Sequence, residues 1–308
     1  MKAPLAVLMP VYDDWESAVR VIERLRAALS PAQALTIVVV DDASPRPAPP
    51  ELSLADIRVI RLRRNLGHQR AICVGLCWIQ EHLGGVPVMV MDADGEDAPE
   101  DAPRLLAAHA AGGGRVTFAA RRRRSASGLF KVLYALYRWM HHALTGIPVR
   151  VGNFSVIDAE HVARLTVSAE LWSHYAAAVF KSRLPMHSLP IDRGSRVSGA
   201  SRMNFTALVL HGLSAIAVFA ETVVVRLFVA LAVFGALLLL LLAVVLGVRF
   251  FTPLAIPGWA TVAFGILAVL LFQAVGISLV LVMGLLASRQ GSNFIPIRDY
   301  QVFIADAP

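Results

Sequence analysis

Along the first half of the chain, short apolar runs alternate with stretches in which apolar residues recur every three or four positions. PLAVLMPVY at 4–12, LTIVVVDD at 35–42, IRVIRL at 57–62, VPVMVMD at 86–92 and RVTFAA at 115–120 are rich in Val, Ile, Leu and Met. They predict strands largely buried on both faces. Between them the longer period predicts helices from about Asp14, Gly67 and Pro99. Such alternation predicts an α/β layer fold with a mostly parallel sheet flanked by helices. In open sheets of this kind ligands bind beyond the carboxyl ends of the strands. Asp41 and Asp42 end one predicted strand and Asp92 and Asp94 end another, so both acidic pairs are expected to face one crevice. The stretch from Arg121 to Tyr137 reads as a helix with a basic start, and VGNFSVID at 151–158 returns to a strand pattern. PIDRGSRVSGASRMNF at 190–205 then breaks the periodicity, and SPRPAPPE at 44–51 is turn-rich and reads as a loop.

The last third is different. Leu227 to Val248 has no charged residue, and Trp259 to Leu286 is interrupted only by Gln273, Ser278 and a few smaller polar residues. Both meet the length criterion for crossing a bilayer and predict a transmembrane hairpin. The mean hydropathy of the whole chain, +0.61, agrees. Before the hairpin, Asn204, His211, Ser214 and Glu221 fall within a helical arc of about 100°, which suits an amphipathic helix lying in the membrane interface. A third span is the alternative for that segment. The expected organisation is a soluble domain over 1–200, the interfacial helix over 201–225, the hairpin over 226–288 and a tail over 289–308.

Charge sets the expected orientation. Arg226, Arg289 and Arg298 flank the hairpin on the side shared with the N-terminal domain, while the connecting loop carries Arg249 alone, as the positive-inside rule prefers. MKAPLAVLMPVYDDWE lacks an apolar core long enough for a signal peptide. The expectation is a multi-pass protein of the inner (cytoplasmic) membrane, with the soluble domain and both termini cytoplasmic. Cys73 and Cys77 then read as free thiols in a reducing compartment.

Within a chain of formal net charge +7, Asp92, Asp94, Glu96, Asp97 and Glu100 crowd into MDADGEDAPE. Carboxylates gathered this closely repel, and burying them is costly unless a cation or hydrogen bonds compensate. Two acids at alternate positions suit a hard divalent cation with oxygen ligands, and Mg²⁺ is commonly held by one or two carboxylates plus substrate phosphates. For Glu96, Asp97 and Glu100, the other reading is charge complementing a helix N-terminus. No P-loop, zinc pattern or Ser-His-Asp arrangement is recognisable.

Five ordered motifs, MPVYDD from Met9, VVVDDAS from Val38, RNLGHQRAICVGL from Arg64, MDADGEDAPE from Met91 and RVSGASR from Arg196 to Arg202, resemble those of the family 2 glycosyltransferases of the GT-A fold. Within that family the chain is most similar to the membrane-anchored polyprenyl-phosphate (dolichol-phosphate-like) glycosyltransferases, over roughly residues 5 to 205 and again at the C-terminal hairpin. The resemblance implies a Rossmann-like GT-A domain and a nucleotide site lined by Pro10, Tyr12, Asp13, Asp41 and Asp42. It implies Mg²⁺ or Mn²⁺ on Asp92, Asp94 and Glu96, and diphosphate contacts from Arg196 and Arg202. It puts Arg121 and Lys131 where the family grips the lipid phosphate. The basic turn Arg64, Asn65, Gly67 and His68 enters a helix whose start favours anions, or is a structural turn.

Three positions depart from the family pattern. Asp13 replaces the more usual Asn, Glu96 stands where Gln is common, and Asn153 occupies the place of the Asp in a GDF motif. Asn cannot act as a general base, which a hydroxyl acceptor needs and a phosphate acceptor, mostly dianionic at neutral pH, does not. Asn153 therefore fits a phosphate acceptor, with Asp97 as the other catalytic candidate beside Asp94; a plain hydrogen-bonding role for Asn153 fits equally. YRW at 137–139 is similar to part of the QxxRW signature of processive synthases, but the Gln position is Ala135.

The expected activity is inverting transfer of one sugar from a UDP- or GDP-linked donor to polyprenyl phosphate at the cytoplasmic face, for envelope glycan or protein glycosylation. Two alternatives stand: a hydroxyl-bearing lipid acceptor, or a catalytically silent membrane partner that binds nucleotide sugar. The expected partners are the nucleotide sugar, polyprenyl phosphate and the bilayer. Homo-oligomerisation is left open, and no nucleic acid is expected.

Overall fold

The computed structural model describes residues 4–29, 33–121, 128–147, 151–192, 194, 196–197, 212–252, 258–291 and 294–305. The chain divides into two compact units, one of residues 1–136, 148–218 and 294–308, the other of 137–147 and 219–293.

The first unit is built on a seven-stranded sheet of order β3-β2-β1-β4-β6-β5-β7. Its strands are β1 (Leu5–Val11), β2 (Leu35–Asp41), β3 (Ile57–Arg61), β4 (Val88–Val90), β5 (Val116–Arg121), β6 (Ser155–Ile157) and β7 (Met186–Ile191). Strands β1 to β4 run parallel, as does β5 with β7, whereas β6 lies antiparallel between β4 and β5. The mostly parallel, GT-A-like sheet expected from the sequence is therefore present. The reversed direction of β6 is set by how the chain enters the sheet, which periodicity does not report. All seven residues of β1 are buried, because helices cover both faces.

Side-chain alternation splits the core into two layers. Leu5, Val7 and Met9 pack with Trp15, Val21, Ile22 and Leu25 of α1 (Trp15–Ala28) and with Leu105 of α3 (Ala102–Ala111). Ala6 and Leu8 pack with Ile72, Leu76 and Ile79 of α2 (His68–His82) and with Val162 and Leu165 of α5 (Ala159–Thr166). The same layer includes Tyr175, which opens α6 (Tyr175–Lys181).

The stretch read as a helix from Arg121 instead ends β5 at Arg121, and α4 runs from Gly128 to Thr145. The C-terminal tail belongs to the first unit. A short helix, Pro296–Asp299, leads into Tyr300, which is fully buried and donates its hydroxyl to Glu81 of α2. Ile304 bridges antiparallel to Leu62, the Arg63 N–H donates to Phe303 O at 2.8 Å, and Phe303 and Phe294 pack against Trp172 with their rings tilted.

The second unit contains two long helices, α7 (Ala220–Phe251) and α8 (Trp259–Gly291). Over Ala220–Phe251 and Trp259–Gly284 they are long and apolar enough to cross a membrane, and 18-residue stretches within them reach mean hydropathies of 3.2 and 2.7. They are apolar all round and carry exposed Phe234, Leu240, Phe272 and Val280. Residues 212–217 are helical and a turn at 218–219 precedes α7. Residues 220–225, grouped by the sequence pattern with the interfacial segment, thus form the first turns of α7. Residues 201–211 of that segment lie outside the described residues. Arg226 donates to His142 O at 3.2 Å and Ala143 O at 2.8 Å, satisfying carbonyls at the C-terminus of α4.

Candidate active site

The carboxyl ends of β1, β2 and β4 open into one crevice. Beyond β1, Pro10, Val11 and Tyr12 line a pocket with Asp42, His68 and Ala71. Tyr12 is 45% exposed. Asp13 follows with a positive φ of 51°, a conformation that Asp and Asn adopt more readily than other side chains. This gives a backbone reason why Asp serves where Asn is usual. Its N–H donates to Ser44 Oγ at 2.8 Å and its carboxylate accepts from Arg46 Nε at 2.6 Å.

The acids ending β2 are turned inward. Asp41 accepts the Ser44 N–H at 2.8 Å, with Arg61 3.8 Å from its other oxygen. Asp42 accepts the Leu66 N–H at 2.6 Å and the Gly67 N–H at 2.9 Å, one on each carboxylate oxygen. Burial raises the Asp42 pKa above the ordinary carboxylate value, against the lowering effect of the two N–H groups and His68. Asp42 thus clamps the RNLGH turn onto the end of β2. Gly67 is required there by its φ of 89°.

After β4 the acidic turn is braced from within: Asp97, 2% exposed, accepts the Asp92 N–H at 2.9 Å, and Asp94 Oδ1 accepts the Glu96 N–H at 2.9 Å. Asp94 Oδ2 meets Arg196 Nη2 at 2.5 Å. The segment around Arg196 lies across the turn through main-chain bonds, Gly194 N–H to Glu96 O and Val197 N–H to Asp94 O, each 3.0 Å. A Cβ on Gly194 would lie 2.5 Å from Gly95 O, so only glycine allows this approach. Asp92 Oδ1 lies 3.1 Å from His68 Nε2, which joins the acidic turn to the pocket beyond β1. Burial opposes a charge on His68, but Asp92, reinforced by Asp97 and Asp94, outweighs it and raises the imidazole pKa above its ordinary value. Asn153, 8% exposed, reaches the same place with Nδ2 2.9 Å from His68 Nε2.

The structure therefore brings together Pro10, Tyr12, Asp13, Asp41, Asp42, Asp92, Asp94, Glu96, Asp97, Asn153 and Arg196. Arg202 and the side chains of Arg121 and Lys131 lie outside the described residues. Sequence reasoning left Gln69, Gly194 and Arg46 without a role. Gln69 is embedded in a quoted motif but is one of many helix-face residues, and its meaning depends on Asn153, 84 positions away.

Burial raises the Asp94 pKa above the ordinary carboxylate value; the Glu96 N–H works against this, Asp92 and Glu96 add to it, and Arg196 lowers it. Burial and the neighbouring carboxylates thus oppose the charge on Asp94 despite Arg196. Hard oxygen donors at alternate positions in such a field fit Mg²⁺ or Mn²⁺, with Asp92 and Asp94 as the groups to hold it. Among the described residues no three carboxylates, imidazoles or thiols are grouped as a metal cage.

Comparison with known proteins bears on this arrangement. Over 111 residues the chain is 35% identical to undecaprenyl-phosphate 4-deoxy-4-formamido-L-arabinose transferase of Salmonella paratyphi A, covering 33% of this chain and 32% of that protein. The Yersinia pestis bv. Antiqua protein of the same name is 33% identical over 109 residues, with the same coverage. The match thus spans about a third of the length of these relatives. Among solved structures, glucosyl-3-phosphoglycerate synthase from Mycobacterium tuberculosis, in complex with Mn²⁺, uridine diphosphate and phosphoglyceric acid, superposes with a TM-score of 0.52. It is 16% identical, with 72% of this chain and 78% of that one covered, a likeness of fold. The model of glycosyl transferase family 2 matches residues 6–165, just over half of the chain, and with the acidic turn, the pocket beyond β1 and the sheet that joins them inside that range, the protein belongs to glycosyl transferase family 2.

Proposed function

We propose that the protein transfers one sugar from a nucleotide sugar to polyprenyl phosphate, with inversion, at the cytoplasmic face of a membrane. The observation that carries this reading is the junction at His68, which touches the pocket of Pro10, Tyr12 and Asp42 on one side and Asp92 on the other. A nucleotide seated against Tyr12 would have its diphosphate directed at the acidic turn. The named relatives act on undecaprenyl phosphate, and the M. tuberculosis enzyme was crystallised with Mn²⁺ and uridine diphosphate, which supports a pyrophosphate-linked donor and a divalent cation here.

In this reading Pro10, Tyr12 and Asp13 hold base and ribose, and Asp41 and Asp42 shape that pocket from beneath. Asp92 and Asp94, with Glu96 beside them, hold Mg²⁺ or Mn²⁺, which when bound supplies positive charge to the departing diphosphate. Arg196 exchanges Asp94 for a phosphate oxygen as donor binds, and Arg202 joins it. An oxygen of the lipid phosphate, held by Arg121 and Lys131, attacks the anomeric carbon from the face opposite the diphosphate. The new C–O bond forms as the bond to the diphosphate breaks, inverting the anomeric centre. The acceptor oxygen carries no proton to remove, which suits Asn153 in place of a carboxylate. Asp97, buried and bracing the Asp92 N–H, serves the turn rather than an acceptor hydroxyl.

Topology supports a membrane hairpin with both ends on one side. The chain leaves the catalytic unit at Val218 and re-enters it at Phe294, so it crosses the bilayer an even number of times between them; α7 and α8 meet that requirement. Arg226 and Arg289 favour the cytoplasm for that side. The test is to incubate membranes containing the protein with a panel of radiolabelled nucleotide sugars and either undecaprenyl phosphate or undecaprenol. Label moving only to the phosphate, in a product that releases lipid phosphate on mild acid, is the expected result. Transfer to undecaprenol, or to neither, overturns the reading.

A further inference from the structure

The crevice contains a hydrogen-bonded chain whose direction is fixed at its buried end. The main-chain N–H of Tyr175 donates to Gln69 Oε1 at 2.8 Å. A backbone N–H can only donate, so this end of the Gln69 amide must be its oxygen and the other end its NH₂. Gln69 Nε2 then donates to Asn153 Oδ1 at 3.1 Å, which leaves the Asn153 NH₂ facing His68 Nε2 at 2.9 Å. Amide orientation is normally ambiguous for an isolated Asn, but here each link forces the next. Tyr175 also pins Asn153 from a second side: its hydroxyl lies 2.8 Å from Ser155 Oγ, and that Oγ donates to Asn153 O at 2.8 Å. Gln69 and Asn153 are each 8% exposed and Tyr175 is fully buried, so water is a poor substitute for any link.

We infer that Gln69 is a positioning residue of the transfer reaction, which acts by holding Asn153 with its N–H edge, not its carbonyl, toward His68 and the acidic turn. The inference rests on the proposed transfer to a lipid phosphate. An N–H edge can donate to an anionic oxygen entering the crevice, whereas a carbonyl edge would repel it. Asn153 occupies a site where either edge fits sterically, because the two ends of a carboxamide have nearly the same shape. The choice is therefore made by Gln69, which takes its own direction from the peptide of Tyr175.

The Gln69→Glu variant tests this because it keeps size and keeps an acceptor for Tyr175 N–H, but as a carboxylate offers nothing to donate to Asn153. Asn153 then turns over to give its NH₂ to the new carboxylate, presenting its carbonyl to His68. The full-length protein is prepared with ¹⁵N-asparagine, and the Asn153 side-chain amide is assigned by its loss in Asn153→Ala. The expected result in Gln69→Glu is a shifted Asn153 NH₂ signal and a kcat about tenfold lower at neutral pH, matching Asn153→Ala. KM for the nucleotide sugar should stay within about twofold. Activity relative to wild type should recover as pH falls, since the introduced carboxyl once protonated can donate again. A purely structural Gln69, needed only as an acceptor for Tyr175, gives wild-type kcat and an unmoved amide signal in this variant, and that result overturns the inference. Should Gln69→Glu fail to fold, His68→Phe reads the same orientation: the Asn153 NH₂ signal must move when the imidazole 2.9 Å from it is lost, and an unmoved signal overturns the inference. If wild-type protein transfers no sugar to polyprenyl phosphate, the functional reading fails, and the amide signals still decide the orientation of Asn153.

Discussion

The turns after β2 and β4 both begin with a pair of acids, and the fold uses them in opposite ways. Asp41 and Asp42 face main-chain N–H groups of Ser44, Leu66 and Gly67, so their charges are absorbed by the loops they organise. Asp94 Oδ1 also accepts the Glu96 N–H, but Asp92 Oδ1 and Asp94 Oδ2 face side chains, His68 at 3.1 Å and Arg196 at 2.5 Å, which a ligand can replace. Backbone donors are fixed in place and cannot be exchanged without unfolding a loop. Side-chain cations are exchangeable. In the proposed function, then, the first pair shapes the crevice and the second accommodates incoming positive charge and phosphate.

The sharpest way to break this comparison is to remove one acid from each pair. Asp94→Ala should lower transfer by about three orders of magnitude, roughly 4 kcal/mol of transition-state stabilisation, with little change in Tm. Chelation of divalent cations with EDTA should do the same to the wild type, and substantial turnover in EDTA would remove the metal assignment. Asp42→Ala should act chiefly on stability. Two N–H groups near the buried Leu66 lose their acceptor, at about 1–3 kcal/mol each, and chemical denaturation should record the loss. If Asp42→Ala instead leaves stability intact while abolishing nucleotide binding in calorimetry, the two pairs are more alike than their hydrogen bonds indicate.

Smaller changes sharpen the contrast. Gly194→Ala forces a Cβ against Gly95 O and should push the Arg196 segment off the acidic turn. Its expected signature is a rise of about tenfold in KM for the nucleotide sugar, on the order of one displaced charge-assisted bond, with Tm close to wild type. Asn153→Asp should give no gain in initial rate at any pH, because a carboxylate beside a dianionic acceptor adds repulsion and no needed base. A marked acceleration would instead identify a hydroxyl acceptor.

The smallest effect concerns Asp94 without ligand. Its pKa is raised in the fold, so the folded chain binds this proton more readily than the unfolded chain. The ionised carboxylate is then a cost to the folded state at neutral pH, and the cost disappears as pH falls below the ordinary carboxylate range. Asp94→Asn should raise Tm in EDTA by roughly a degree or two at neutral pH, and the gap should close by about pH 4. A fall in Tm would mean that the Arg196 pairing outweighs the repulsion from Asp92 and Glu96.

Much of the fold was legible because strand burial and helix amphipathicity write themselves into local periodicity. The five N-terminal strands, α1, α2 and the two apolar helices appear where apolar spacing puts them. The misread helix at Arg121 is instructive: its basic run follows the apolar residues of β5 directly, and the boundary signal is the SASG at 125–128 that leads into the helix. The candidate site was legible as residue types in order, Tyr12 through Arg196, but not as a division of labour. Asp41 and Asp42 look as ligand-like in sequence as Asp92 and Asp94, because a backbone N–H partner leaves no trace in the letters.

The C-terminal tail was hidden more completely. PIRDYQVFIA has the composition of a modest loop, yet Tyr300 is fully buried against α2, reached after the two apolar helices. A cut before the hairpin would therefore strip an apolar surface from α2, the helix that carries His68 and Gln69. By itself the sequence determined the alternation of strands and helices, the two apolar helices and the acidic turn, since each depends on neighbours a few residues apart. Tertiary structure alone decided that Asp42 clamps Gly67, that Arg196 meets Asp94 across 102 positions, that Tyr175 sets the direction of Gln69 across 106, and that the chain's end returns to its catalytic unit. Those pairings are made by the packing of distant elements, and no local interaction encodes them.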